Sequence, residues 1–157
     1  MQIIIDADSI SVAIKDILFR AAEKNKISLI LVANQVLKFP DSSFISAIVV
    51  PAGPDEADHK ISEIVEPGDL VVTEDIPLAD RIITKGGFII NSRGDFYNKE
   101  NIKERLAMRD LMDVLRNSGI KTGGPAAFSS RDRLAFANQL DRFLTKYKNS
   151  GQAGINH

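Results

Sequence analysis

The sequence predicts an α/β domain built on a mostly parallel central sheet, with helices on both faces of the sheet. Five short apolar runs recur without polar alternation, at residues 3–5, 29–32, 47–50, 70–72 and 88–90. Continuous runs of this length are typical of strands buried on both faces of a parallel sheet. Helical patterns separate most of the runs, and the resulting order β-α-β-β-α-β-α-β favours a helix-covered parallel sheet.

Five segments carry apolar side chains three or four positions apart, the spacing of amphipathic helices. Three of them alternate with the apolar runs, and two more form the C-terminal part of the chain. They cover roughly residues 10–25, 55–65, 76–85, 99–117 and 130–148. Ser129, followed three positions later by Asp132, is a suitable N-terminal cap for the last helix. The glycine-rich segment 121–125 is predicted to be a loop, and residues 149–157 a flexible tail after a domain spanning 1–148.

Composition excludes several classes of protein. The chain has 157 residues, of which 44% are hydrophobic and 26% charged, as in ordinary globular domains. No apolar run approaches the roughly 20 residues of a membrane span, and two aspartates stand where a signal peptide would be apolar. The absence of cysteine excludes disulfides and thiolate zinc sites. We therefore expect a cytoplasmic protein that does not bind membranes; its oligomeric state is left open.

Charge is distributed unevenly along the chain. Residues 1–98 carry 9 basic and 15 acidic side chains, a net charge of −6, and residues 99–157 carry 11 and 6, a net charge of +5. Such a split can reflect two ordinary solvated surfaces, or it can indicate a polyanionic partner. The second interpretation requires the acidic part to hold metal and the basic part to hold phosphate.

Aspartates follow three of the predicted strands. Asp6 and Asp8 come directly after the first run, and if the chain is still extended there, both carboxylates face one pocket. Asp75 follows the fourth run. Asp55 and Asp58, three positions apart at a helix start, would share a helix face. In open α/β sheets, ligands bind beyond the carboxyl ends of the strands, so these carboxylates are candidates for one site.

Each aspartate also has an alternative explanation. Asp8 or Ser9 can cap the first helix, and acidic residues such as Asp55 and Asp80 are favoured in the first turn of any helix by its dipole. Oxygen-only clusters suit Mg²⁺ or Mn²⁺. Zinc is disfavoured, because the two histidines, at 59 and 157, are far apart in the sequence.

Arginines in the basic part are candidate phosphate ligands. Arg105 and Arg109 belong to the fourth predicted helix, while Arg131 and Arg133 lie in the first turn of the fifth. For most of these arginines, a solvated helix face with intrahelical ion pairs, such as Arg109 with Asp113, is the simpler explanation. For base stacking, Phe96 and Tyr97 are the candidate exposed aromatic pair.

The chain resembles the YaiI/YqxD family of uncharacterised bacterial proteins, which is grouped with PIN-like nuclease domains. The resemblance spans nearly the whole chain. Its stretches are Asp6-Ala7-Asp8, residues 17–22 and 31–34, Pro51-Ala52-Gly53 with Ala57-Asp58, and residues 67–73, 75–79, 104–110, 122–125 and 131–141. Where members of the family often have Cys-Pro, this chain has Ser9-Ile10.

The resemblance implies a PIN-like parallel sheet whose strand-end acids hold Mg²⁺ or Mn²⁺ for hydrolysis of RNA or DNA. Carried over by position, the metal ligands would be Asp6, Asp58 (or Asp55) and Asp75. Asp8 and Asp80 would be supporting carboxylates.

The sequence therefore predicts a metal-dependent phosphodiesterase, with a ribonuclease favoured over a deoxyribonuclease. The catalytic residues would be Asp6, Asp8, Asp58 and Asp75, with Asp80 as a further metal ligand. One alternative is a phosphatase in which Asp6 is the nucleophile and Asp8 the acid. Another is an RNA-binding module without turnover.

Overall fold

The computed structural model describes residues 1–122 and 128–155, without the side chains of 150–155. Six strands form one sheet: β1 (Gln2–Asp6), β2 (Ser28–Ala33), β3 (Ile45–Val49), β4 (Leu70–Val72), β5 (Phe88–Ile90) and β6 (Phe96–Tyr97). The helices are α1 (Val12–Asn25), α2 (Glu56–Ile64), α3 (Ile76–Thr84), α4 (Ile102–Asn117) and α5 (Ser130–Ile155). None of the described helices is both long enough and apolar enough to cross a membrane.

The strands lie in the order β3-β2-β1-β4-β5-β6, and every pairing is parallel except that between β5 and β6. Alternate side chains of each strand point to opposite faces. On one face Ile3 and Ile5 pack with α1 and α5, and on the other Ile4 packs with α2, α3 and α4. We call these the α1/α5 face and the α2–α4 face. The predicted α/β fold, mostly parallel with helices on both faces, is confirmed.

The chain leaves the central strands in opposite directions. From β1 it crosses by α1 to β2 on one side, and from β4 it crosses by α3 to β5 on the other side. Since α1 and α3 cover opposite faces, a crevice opens between the ends of β1 and β4. In doubly wound sheets such a reversal of strand order is where ligands bind. We call the edge at which the parallel strands end the carboxyl edge.

The two outer strands differ from the prediction. The third strand begins at Ile45 rather than 47 and lies at the edge of the sheet, so it is largely exposed instead of buried on both faces. Strand β6 was not predicted, because two residues are too few to carry a period. The expectation that Phe96 and Tyr97 form an exposed pair is wrong: Tyr97 is buried on the α2–α4 face, and Phe96 is partly buried on the other.

Capping explains where two of the helices begin. Helix α5 starts with a reciprocal cap, in which the Ser129 N–H and hydroxyl donate to Asp132 Oδ2 while the Asp132 N–H donates to Ser129 Oγ, as predicted. Helix α1 is capped by Ser11, whose Oγ accepts from the Ile14 N–H, so the expectation that Asp8 or Ser9 caps it is wrong. Residues 7–9 form a separate 3-10 turn, and α1 begins after it, at Val12.

The loop expected at residues 121–125 and the flexible tail expected at residues 149–157 remain predictions. The loop expected at 121–125 lies mostly outside the described residues. Helix α5 continues to Ile155, beyond the expected end at residue 148. Flexibility of residues 149–157 therefore stays a prediction.

Candidate active site at the carboxyl edge

Asp6 occupies the carboxyl end of β1, next to the end of β4. Because Ile5 pairs with Val72, the next residues along, Asp6 and Thr73, lie side by side. The Thr73 hydroxyl donates to Asp6 Oδ2 at 2.9 Å, and the Ser9 hydroxyl donates to the same oxygen at 3.1 Å. Only 7% of Asp6 is exposed. Asp6 Oδ1 accepts no hydrogen bond from the described residues, so one carboxylate oxygen is held and the other is available.

Two further aspartates come from helices on the same face of the sheet. Asp75 caps α3, with its Oδ1 accepting from the Leu78 N–H at 2.9 Å. Its own N–H donates to Thr73 Oγ1 at 3.0 Å, so one hydroxyl connects Asp6 and Asp75. Asp58 lies in the first turn of α2 and is 8% exposed. We call Asp6, Asp58 and Asp75 the acid cluster.

The electrostatics show that these carboxyl groups interact. The pKa of Asp58 is raised to about 6, mainly by burial and in smaller part by repulsion from Asp75 and Asp6 and by a hydrogen bond with the Asp75 carboxyl. Arg81, 3.6 Å from Asp58 Oδ2, opposes this shift. Burial also raises the pKa of Asp6, with smaller contributions from Asp75 and Asp8, against the hydrogen bonds from Thr73 and Ser9. A buried site in which negative charges repel one another favours a bound cation.

The chemistry of the donors fits Mg²⁺ or Mn²⁺, since the acid cluster offers only carboxylate oxygens. The side chains are not yet arranged as a coordination sphere: among residues 1–122 and 128–149, no three His, Cys, Asp or Glu side chains are grouped closely enough to hold one ion. Binding a metal would therefore require the carboxylates to rotate toward one another. The hydrogen bond between Asp58 and Asp75 would be replaced in that step.

The aspartates predicted to be supporting carboxylates, Asp8 and Asp80, lie outside the acid cluster. Asp8 is exposed in the 3-10 turn, and its Oδ2 accepts from the Asn34 N–H at 2.8 Å. The expectation that residues 6–8 continue the extended strand is therefore wrong, because β1 ends at Asp6 and the chain turns there. Asp8 still contributes to the repulsion felt by Asp6.

Asp55 and Asp80 do not join the acid cluster. Asp55 is exposed and precedes α2 with a left-handed backbone (φ 68°), so it does not share a helix face with Asp58 as expected. Asp80 is partly exposed on α3. Among the described residues, neither side chain makes a hydrogen bond or an ion pair.

The four predicted arginines are all exposed, in two environments. Arg105 lies over the Tyr97 ring, 5.6 Å from its centroid, while Arg109 pairs with Asp110 and Asp113 along α4. The simpler explanation for Arg109, an intrahelical pair, is therefore confirmed.

Arg131 and Arg133 lie on either side of Asp132 in the first turn of α5. That turn is held near the carboxyl edge, because Arg93, in the turn after β5, pairs with Asp132 at 3.0 Å. The positively charged start of α5 and the acid cluster therefore lie at the same edge of the sheet.

Sequence reasoning missed three residues that shape the acid cluster: Thr73, Ser9 and Arg81. Thr73 could have been found as the polar residue that ends an otherwise apolar strand beside the Asp6 strand. Arg81 could not, because its contact with Asp58 depends on how α2 and α3 pack. The contact of Ser9 with Asp6 depends on the 3-10 turn at residues 7–9, which no pattern in the sequence predicts.

Comparison with known proteins agrees with the resemblance. Residues 4–146 match the family model described as "Uncharacterized BCR, YaiI/YqxD family". The chain is 57% identical to a UPF0178 protein of Hahella chejuensis over 150 residues, covering 96% of this chain and all of the relative. It is 54% identical to UPF0178 proteins of Burkholderia cenocepacia (94% and 98% covered) and of Janthinobacterium sp. strain Marseille (96% and 100% covered). No solved structure gave a significant match. The chain therefore belongs to the YaiI/YqxD family.

Proposed function

We propose that this protein is a Mg²⁺- or Mn²⁺-dependent phosphodiesterase that cleaves RNA in preference to DNA. The observation that carries the proposal is the acid cluster: three interacting carboxyl groups, from the end of β1, the first turn of α2 and the N-cap of α3, lie at the crevice where the strand order reverses. Burying acids close together is costly, even though Arg81 offsets part of the charge of Asp58. Such an arrangement is characteristic of functional sites rather than of packing.

In this proposal Asp6, Asp58 and Asp75 hold the cation. A bound Mg²⁺ or Mn²⁺ ion would supply Lewis-acid activation of water and neutralise charge on the scissile phosphate. The hydroxyls of Thr73 and Ser9 fix one oxygen of Asp6 and leave the other available as a ligand. Asp58 has a pKa of about 6, so its carboxylate is available as a ligand at neutral pH.

Basic residues at the same edge support a polyanionic substrate. Arg131 and Arg133 are exposed where the backbone N–H groups of a helix start also attract phosphate. Arg105 lies beside Tyr97, whose hydroxyl accepts from Asn91 at the end of β5. Phosphate contacts of this kind position a nucleic acid without reading its sequence.

The phosphatase alternative is less well supported. It needs the Asp8 carboxyl as a proton donor, but that group accepts a hydrogen bond from the Asn34 N–H and is exposed. It also leaves Asp58 without a role. Formation of a stoichiometric beryllofluoride adduct on Asp6 would favour the phosphatase, because a metal ligand does not form one.

Cleavage of end-labelled single-stranded RNA, with DNA of the same sequence beside it, tests the proposal. The wild-type protein should cut RNA with Mn²⁺ or Mg²⁺ and not with EDTA. Asp6→Asn should remove cleavage, and Asp16→Asn, which changes an exposed aspartate of α1 by the same charge, should retain it. RNA binding without cleavage under every metal condition would identify the non-catalytic binding module instead.

A further inference from the structure

A second concavity, of about 680 Å³, lies beside β5 and β6 under α5. Its wall includes Phe88 and Phe96, which belong to the α1/α5 face of the sheet, whereas the acid cluster packs with the helices of the α2–α4 face. The volume is within the range of small-molecule sites in proteins, roughly 300–1,000 Å³. The concavity is therefore a separate candidate site, and we call it the aromatic cavity.

Aromatic rings form much of its wall. The Phe143 ring stacks on Phe96, with centroids 5.5 Å apart and planes at 28°, and meets Phe88 edge-on at 5.2 Å. Phe88 is 47% exposed and Tyr147 is 40% exposed. Large aromatic side chains left open to water around one concavity favour a site for a planar ring.

Cations line the same concavity. Gln139, Arg142, Phe143, Lys146 and Tyr147 all line it from α5, and their spacing of three and four residues places them on one side of the helix. Phe136, Leu140 and Leu144 lie on a different side of α5, which packs against the core. In the described part of the chain, Arg142 and Lys146 make no ion pair.

We propose that the aromatic cavity binds a nucleoside phosphate, with the base against the phenylalanine rings and the phosphate against Arg142 and Lys146. Base stacking on aromatic rings is favourable for every base, and each stacked base contributes about 1–3 kcal/mol. A guanidinium and an ammonium at the rim suit a phosphate dianion. A purely apolar ligand would leave both cations unused, and a simple anion would leave the rings unused.

The nucleoside phosphate can be a free nucleotide or one unit of a single-stranded RNA. Both present the same base and phosphate, so the cavity alone does not distinguish them. The inference goes beyond the proposed function, because it concerns a cavity that none of the acid-cluster residues lines and needs neither metal nor cleavage. Binding measured in EDTA therefore succeeds or fails independently of nuclease activity.

The test is titration of the full chain in EDTA, by calorimetry, with 5′-AMP, adenosine, inorganic phosphate and a single-stranded RNA heptamer. We expect saturable binding of 5′-AMP or of the heptamer, at least about tenfold tighter than binding of adenosine or phosphate. Binding of 5′-AMP identifies a free nucleotide as a sufficient ligand, and binding of the heptamer alone identifies the strand as the source.

Three variants place the ligand. The double variant Arg142→Gln/Lys146→Gln should weaken binding by about tenfold or more, and Phe88→Leu should also weaken it because a leucine keeps the apolar volume but offers no ring. Lys99→Gln/Lys103→Gln removes the same charge from exposed positions and should bind as the wild type. The proposal is overturned if no probe binds saturably, if phosphate or adenosine binds as tightly as the tighter-binding of 5′-AMP and the heptamer, or if the Arg142/Lys146 variant binds that probe unchanged.

Discussion

The hydroxyl of Thr73 donates to Asp6 Oδ2 at 2.9 Å, and the two residues are 67 positions apart in the chain. The same hydroxyl accepts from the Asp75 N–H, so a single oxygen of the residue that follows β4 sets the distance between two acids of the cluster. An uncharged side chain thus determines where the charged ones lie. This relationship, rather than the presence of aspartates alone, makes the carboxyl edge a candidate active site.

Replacing Asp6 with asparagine should separate activity from stability. Because burial raises the pKa of Asp6, its charged form destabilises the fold, and the asparagine side chain keeps an oxygen for the Thr73 and Ser9 hydroxyls. We expect the melting temperature of Asp6→Asn to be unchanged or higher, and RNA cleavage to fall by about 100-fold or more, as when an electrostatic contact to a transition state is lost. Unchanged cleavage would remove Asp6 from the site.

Stability should depend on the protonation of Asp58. Its pKa is about 6 in the folded protein and 3.8 for an ordinary aspartate, so between these pH values the folded chain holds a proton that the unfolded chain has lost. The free energy of unfolding should therefore fall as pH rises from about 4 to 6. In urea denaturation at pH 4.5 and 7, the free energy of unfolding of Asp58→Asn should fall less between the two pH values than that of the wild type. Equal slopes for variant and wild type would contradict the assigned pKa.

Arg81 should tune the titration of Asp58. It lies 3.6 Å from Asp58 Oδ2 and lowers the pKa of that carboxyl against burial and repulsion. In Arg81→Gln the pKa of Asp58 should rise further, as followed by carbon NMR of the carboxyl group. Arg20→Gln, on α1, should leave it unchanged. A pKa of Asp58 that does not move in Arg81→Gln would mean that the ion pair does not persist in solution.

The start of α5 should contribute to RNA binding through charge. Arg131→Ala/Arg133→Ala should weaken binding of all RNA sequences similarly and flatten the dependence of log K on log salt by about one unit per lost phosphate contact. Arg109→Ala should have a smaller effect, since Asp110 and Asp113 already pair with Arg109. Fluorescence anisotropy titrations between low and physiological salt measure the affinity for RNA and its salt dependence in each variant. An unchanged salt slope in the double variant would leave this turn an ordinary solvated surface.

Gly94 should be a sensitive position for the attachment of α5. A Cβ there would meet the Ala135 carbonyl oxygen at 2.8 Å, and its φ of 87° is unfavourable for other residues. At Gly119, φ is 81° but nothing lies within 4 Å of the added Cβ. Gly119→Ala should thus cost only the backbone strain, about 1–2 kcal/mol, and Gly94→Ala should cost clearly more. If denaturant unfolding shows equal losses of unfolding free energy for Gly94→Ala and Gly119→Ala, α5 moves away from the added Cβ at no cost.

Much of the fold could be predicted because its signals are local. The apolar runs of β1, β2, β4 and β5 and the helical spacing of all five helices are visible in short windows, as is the cap of Ser129 with Asp132. Carboxyl ends of parallel strands meet at one edge, and that rule alone brings Asp6 and Asp75 to the same region.

The remaining features depend on contacts between distant segments. The 3-10 turn at residues 7–9 takes Asp8 away from the direction of Asp6, and the left-handed backbone of Asp55 separates it from Asp58. The pairing of Arg81 with Asp58 follows from the packing of α2 against α3. The aromatic cavity requires that β6 turn back beside β5, which two residues of sequence do not indicate.

The position of β4 between β1 and β5 also affects when the acid cluster can form during folding. The β1–α1–β2 unit is made of contacts close in sequence, whereas β1 pairs with β4 only after a much longer loop closes, as the 67 positions between Asp6 and Thr73 show. Contacts of such long sequence separation form late, because chain entropy must be lost first. A nascent or partly folded chain therefore carries Asp6 without Thr73 and Asp75, and any nuclease activity would arise only in the finished protein.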